Sequence, residues 1–60
     1  LGLQAISWNP DPNLRIAVIN DKILGEKDRV RGYRILAIQE NQVILKGPLG
    51  KSYRLIFKYR

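Results

Sequence analysis

Residues Arg15–Val30 read RIAVINDKILGEKDRV, and the fold class turns on how this stretch breaks. Two short apolar runs, Ile16–Ile19 and Ile23–Leu24, flank Asn20-Asp21-Lys22. Asn and Asp tolerate the left-handed backbone of tight hairpin turns, and both flanks are rich in β-branched residues. Gly25 then interrupts the chain, and the charged stretch Glu26-Lys27-Asp28-Arg29 carries it to Val30. The pattern predicts a β-hairpin that feeds a charged turn and delivers the chain to the next strand.

Upstream, Leu3–Trp8 has strand composition and no helix cap. It meets Asn9-Pro10-Asp11-Pro12-Asn13, which reads as a loop because proline fixes φ and lacks an amide donor. Leu14–Ile19 forms the second strand. It is apolar on both faces, with Leu14, Ile16 and Val18 on one and Ala17 and Ile19 on the other, as in a strand covered on both sides or one carrying a bulge. Lys22–Leu24 is a brief third strand.

Downstream, Gly32 precedes a fourth strand, Tyr33–Gln39. Its apolar residues Ile35, Leu36 and Ile38 do not alternate cleanly, which predicts a bulge or a strand end near Ala37. Glu40-Asn41-Gln42 turns the chain into Val43–Lys46, and Gly47-Pro48-Leu49-Gly50 reverses it again. The sixth strand, Ser52–Lys58, alternates most clearly, with Tyr53, Leu55 and Phe57 opposite Arg54, Ile56 and Lys58. No stretch repeats apolar residues at helical spacing over the length a helix needs. Six short strands with frequent turns predict an all-β sandwich or small barrel. The expected core is Leu3, Ile16, Val18, Ile19, Ile23, Val30, Ile35, Ile38, Val43, Leu45, Leu55 and Phe57.

Sixty residues make one small domain, which buries about 60% of the surface its unfolded chain exposes. With no cysteine there is neither a disulfide framework nor a thiolate metal site. With no histidine the commonest neutral-pH acid–base group and metal ligand is also missing. No run approaches the ~20 apolar residues of a membrane-spanning helix, and no signal peptide is present. Because it opens on a strand-like Leu1-Gly2-Leu3, the chain reads as a domain whose targeting segment lies elsewhere.

Eleven Lys and Arg against five Asp and Glu give a net charge of +6, which favours an anionic partner. The cations are scattered, however, and only Arg29-x-Arg31-x-x-Arg34 is dense, so the simplest reading is a solvated polar face. Catalysis lacks its parts. The acids Asp11, Asp21, Glu26, Asp28 and Glu40 fall in loops and turns, Ser7 and Ser52 have no activating histidine, and the glycines sit at turns instead of forming a phosphate loop. Glu26 and Asp28 are too few for a calcium site and stand beside Lys27 and Arg29. The sequence therefore predicts no enzyme, no catalytic or metal residue and no cofactor.

Two binding modes remain. A small basic β-barrel can hold single-stranded nucleic acid on exposed aromatics, and Tyr33, Tyr53, Tyr59 and Trp8 lie near Arg34, Arg54 and Lys58. Against this, Tyr53 shares its face with Leu55 and Phe57, as a core residue would. The other mode is edge pairing: Leu3–Trp8 carries no charge, and an edge strand with free backbone groups can accept a strand from another protein.

The order Leu3-x-Ala5-Ile6, a proline-containing loop, Ala17-Val18-Ile19-Asn20, Gly25-Glu26-x-Asp28-x-Val30, Gly32-Tyr33-x-Ile35-x-x-Ile38, Val43-x-Leu45 and Gly50-x-x-Tyr53-x-Leu55 resembles the periplasmic homology-region domain of inner-membrane components of the type II secretion system. The B-type component is the nearest in pattern, ahead of the C-type component and the pilus assembly relatives. The resemblance runs from Leu3 to about Phe57. It departs at Lys27 and Asp21, where the family often has glycine.

This resemblance implies two small packed three-stranded antiparallel sheets in a single domain, 1–60, of a longer membrane-anchored protein. It implies a non-enzymatic scaffold in the periplasm, tethered to the inner membrane and monomeric in isolation. Its partner would be the first periplasmic domain of the outer-membrane secretin, with other inner-membrane secretion components as further partners. Nucleic acid and direct contact of this domain with the membrane are not expected. Carried over from the C-type relatives, the partner-binding residues are Leu3, Gln4, Ala5, Ile6 and Ser7, with Arg15 as a basic flank. The alternative is the single-strand nucleic-acid binder.

Overall fold

The computed structural model describes residues 2–57. The predicted extension of the last strand to Lys58, and Tyr59 beyond it, lie outside the described residues. Seven strands follow in chain order: β1 (Leu3–Ser7), β2 (Ile16–Ile19), β3 (Lys22–Gly25), β4 (Arg29–Val30), β5 (Tyr33–Ile38), β6 (Gln42–Lys46) and β7 (Ser52–Ile56). They form a three-stranded sheet, β1-β2-β3, and a four-stranded sheet, β4-β5-β6-β7, every pair antiparallel. The domain is all-β, two sheets not closed into a barrel. The second sheet has one strand more than expected, because β4 is two residues long and too short to show a period in sequence.

Turn chemistry sets this topology. Asn20 and Asp21 both adopt positive φ, 52° and 66°, the two-residue type I′ hairpin turn that their side chains favour. Arg31 and Gly32 repeat it between β4 and β5, with φ of 49° and 81°. Between β6 and β7, Gly50 N–H donates to the Gly47 carbonyl at 3.1 Å and Gly50 takes φ 82°, so Pro48 and Leu49 form the tip of a turn closed by a glycine bulge. The chain crosses between the sheets once, at residues 26–28. There the Asp28 carboxylate accepts from Gly25 N–H at 2.8 Å, and Lys27 takes φ 75°.

The inner faces of the two sheets share one core of Ala17, Ile19, Leu24, Val30, Ile35, Ile38, Val43 and Leu45, with Leu3, Ile6, Tyr33 and Leu55 packed against it. Val18 and Phe57 are half-buried. Two expected core residues are not there: Ile16 is 37% exposed and Ile23 71%, while Ala17 and Leu24 take the buried places. Cross-strand register explains the exchange, since residues directly opposite share a face. The set Leu3–Ile19 and Ile6–Ala17–Leu24 carries more apolar bulk than Ala5–Val18–Ile23 and Ser7–Ile16–Gly25, and the bulkier set turns inward.

Further corrections concern strand ends and one bulge. Leu14 belongs to a 3₁₀ turn, Pro12–Leu14, instead of β2. Asp11 caps this turn by accepting from Asn13 N–H at 3.0 Å, with Pro12 as its first residue. The predicted irregularity in β5 is present, as the register with β6 shifts between Ile35 and Ala37 and leaves Leu36 exposed.

Candidate partner-binding edge

Two sheets have four edges, formed by β1, β3, β4 and β7, and three of them are guarded by charge. The β3 edge carries Lys22, β4 is two residues long and carries Arg29, and β7 carries Arg54. Lysine, arginine and shortness are the usual devices that stop a sheet edge from recruiting another strand. The β1 edge, LQAIS, has neither charge nor proline. Among the described residues, no strand pairs with its outer side.

The predicted site residues fall on this strand as follows. Leu3 and Ile6 point inward and are half-buried against the core. Ala5 and Ser7 are exposed on the outer face. Gln4 is the extra residue of a bulge between Leu3 and Ala5. Its side chain grips the far hairpin turn, donating to Asp21 Oδ1 at 2.8 Å while accepting from Asp21 N–H at 2.6 Å. Asn20 Oδ1 adds a second tie by accepting from Gly2 N–H at 2.9 Å. These bonds anchor the start of β1 to the β2–β3 turn and leave Ala5–Ser7 as its straight, accessible portion. Opposite Ala5 lie Val18 and Ile23, so an apolar row crosses the outer face of this sheet up to the free edge.

Arg15 sits apart from that portion and is engaged elsewhere. Its Nε donates to the Asn9 carbonyl at 2.6 Å and its NH2 to the Pro10 carbonyl at 3.2 Å. Its guanidinium also lies 5.0 Å from the Trp8 ring centroid and 3.4 Å from Glu26 Oε2. Instead of presenting a free charge beside β1, Arg15 clamps the proline loop onto the turn between the sheets.

Glu26 completes this clamp, a role its place in the charged turn did not announce. Its Oε2 also accepts from Ile38 N–H at 2.9 Å. β4 covers only the first two residues of β5. Beyond them Ile35 exchanges backbone bonds with Lys27 and Asp28, both at 2.8 Å, and the Glu26 carboxylate serves the next free amide. A carboxylate and a turn therefore stand where a longer β4 would have run. The carboxylates of Glu26 and Asp28, considered in sequence as cation ligands, are both occupied by protein donors.

No family model, curated protein or solved structure matches this chain. The functional reading therefore rests on the geometry of β1 and on the sequence resemblance.

Proposed function

We propose that this domain is a non-enzymatic docking module which binds a partner by strand addition at β1. The observation that carries the reading is the contrast among the sheet edges: the β1 edge alone lacks a charge. Strand addition draws affinity from main-chain hydrogen bonds and specificity from alternate side chains. On β1 those side chains are Ala5 and Ser7 on the outer face, with Ile6 on the inner.

The resemblance to the homology-region domain supplies the partner. It makes this chain a periplasmic scaffold of a type II secretion system, tethered to the inner membrane and docking the first periplasmic domain of the outer-membrane secretin. One short strand and a small rim bury little area, so the complex is weak and transient. The single-strand nucleic-acid reading has less support. Tyr33 and Tyr53 stand on the inner face and pack edge-to-face on each other at 5.6 Å, on the opposite face from Arg34 and Lys46, with Arg54 alone of the described cations lining their cleft.

An amide chemical-shift titration with an isolated first periplasmic domain of a secretin tests the reading. Shifts concentrated on Leu3–Trp8 and its β2 neighbours are expected, and silence at millimolar partner overturns it. Proline substitution then reads the mechanism. In an antiparallel strand adjacent residues point their amides to opposite sides, so one of Ala5 and Ile6 directs its N–H to β2 and the other to the free edge. Of Ala5→Pro and Ile6→Pro, the variant that keeps the fold loses the partner. A folded proline variant with full affinity excludes strand addition at this edge.

A further inference from the structure

Register brings together cations that the sequence scatters. Arg29 lies directly opposite Arg34, and Arg34 directly opposite Lys46. All three are exposed on the outer face of the four-stranded sheet. Like charges in directly opposed positions destabilise a sheet, yet none of these residues has an acidic partner among the described residues. The nearest acid in sequence, Asp28, is bonded to Gly25 N–H instead.

At the same end of the sheet two turns abut, since a Cβ on Gly32 would stand 3.4 Å from Pro48 Cγ. These turns add Arg31 and Lys51, both exposed, and between them Leu49 stands at the tip of the β6–β7 turn, 88% exposed. Arg31 holds its charge there at φ 49°, where a type I′ turn favours Asn or Gly. The result is an apolar tip at one end of the sheet, with Arg31 and Lys51 in the turns at that end and the Arg29–Arg34–Lys46 row on the outer face.

We propose that this end of the domain docks on an anionic phospholipid surface, with Leu49 entering the interface and the five cations lying against the headgroups. Cations on one face and in the turns at this end, together with a protruding leucine, match a bilayer surface, where apolar insertion and attraction to anionic lipid add. A nucleic-acid strand fits less well. Tyr33 and Tyr53, the rings nearest this end, lie on the inner face, so bases stacked on them would not bring their phosphates to Arg34 and Lys46. This differs from the expectation, carried by the family resemblance, that the domain makes no direct contact with the membrane. It does not depend on the docking role of β1.

The test is co-sedimentation of the domain with vesicles of phosphatidylcholine alone and of phosphatidylcholine mixed with phosphatidylglycerol. Binding to the mixed vesicles only, weakening as salt rises, is expected. Arg34→Glu should lower the partition coefficient at least about fivefold. Leu49→Asp should lower it about tenfold, at a position too exposed to disturb folding. Arg34→Glu also relieves two like-charge contacts, so its urea midpoint should rise while its vesicle binding falls. A solvated face with no partner shows the first change without the second.

Absence of binding to phosphatidylglycerol vesicles at low salt overturns the proposal. Binding that Leu49→Asp leaves unchanged also overturns it. Tighter capture of a single-stranded oligonucleotide or a polyglutamate peptide through Arg34 and Lys46, with Leu49→Asp neutral, assigns the row to that polyanion instead.

Discussion

The two sheets share one core but contribute to it unequally. The four-stranded sheet supplies Val30, Ile35, Ile38, Val43 and Leu45, its edges carry Arg29 and Arg54, and its outer face carries the cation row. The three-stranded sheet supplies Ala17, Ile19 and Leu24, and its outer strand is held by half-buried Leu3 and Ile6 and by side-chain ties at its start. Stability thus concentrates in one sheet and accessibility in the other. β1 pairs with β2 along its length and leaves its other side open, so a partner strand can replace water there without disturbing the core.

The largest expected effect tests the asymmetry directly. Leu45→Ala, at a fully buried position in the four-stranded sheet, should lose about 3–4 kcal/mol in urea denaturation. Leu24→Ala, the same change at a core position of the three-stranded sheet, should cost less, about 2 kcal/mol. Equal losses would remove the distinction between the sheets.

The next test concerns the joint. Glu26→Ala leaves the Ile38 amide without its acceptor and removes the Arg15 ion pair, and should cost about 2 kcal/mol. If the joint is one unit, Arg15→Ala combined with Glu26→Ala should destabilise by less than the sum of the two. Additivity in that cycle would separate the loop clamp from the link to β5.

Smaller effects sharpen the picture and run the other way. Arg34→Glu should stabilise the domain by about 0.5–1 kcal/mol by turning two repulsive cross-strand contacts into attractive ones. A loss instead would mean that the cation row is neutralised within the fold. Lys27→Gly should also stabilise, by about 0.5–1 kcal/mol, because Lys27 holds φ 75° and the relief of a left-handed side chain outweighs glycine's extra unfolded-state freedom. A thermal melt that falls on this change would show that the Lys27 side chain makes a contribution the backbone strain conceals.

Much of this architecture is legible in the sequence where local chemistry decides it. Asn20-Asp21 specifies its turn because few residue pairs accept two left-handed positions, and Gly47–Gly50 does so through proline and glycine at fixed offsets. The uneven apolar pattern of Tyr33–Gln39 announces the bulge at Leu36. Both positions where this chain departs from the homology-region pattern, Asp21 and Lys27, are left-handed in the structure, which is why glycine would suit them.

What stays hidden depends on register. Leu14–Ile19 is apolar on both faces, so only its pairing with β1 and β3 decides that Ala17 goes in and Ile16 out. The charge-free character of Leu3–Ser7 was readable, but the bulge at Gln4 and its grip on Asp21 needed the partner turn in place. Arg15, Glu26 and the Arg29–Arg34–Lys46 row acquire their roles from residues distant in the chain, and neither composition nor spacing records such neighbours.

Each sheet is a meander, so every strand pairing joins neighbours in sequence. Loop closure is then inexpensive at each step, and contact order is low for an all-β chain. Folding should accordingly be quick for its class, with each meander assembling on its own and the docking of one upon the other coming last. In such a sequence of events Glu26, which touches both sides of the crossing, forms its bonds after the rate-limiting step. Its substitution should therefore hasten unfolding and leave the folding rate nearly unchanged.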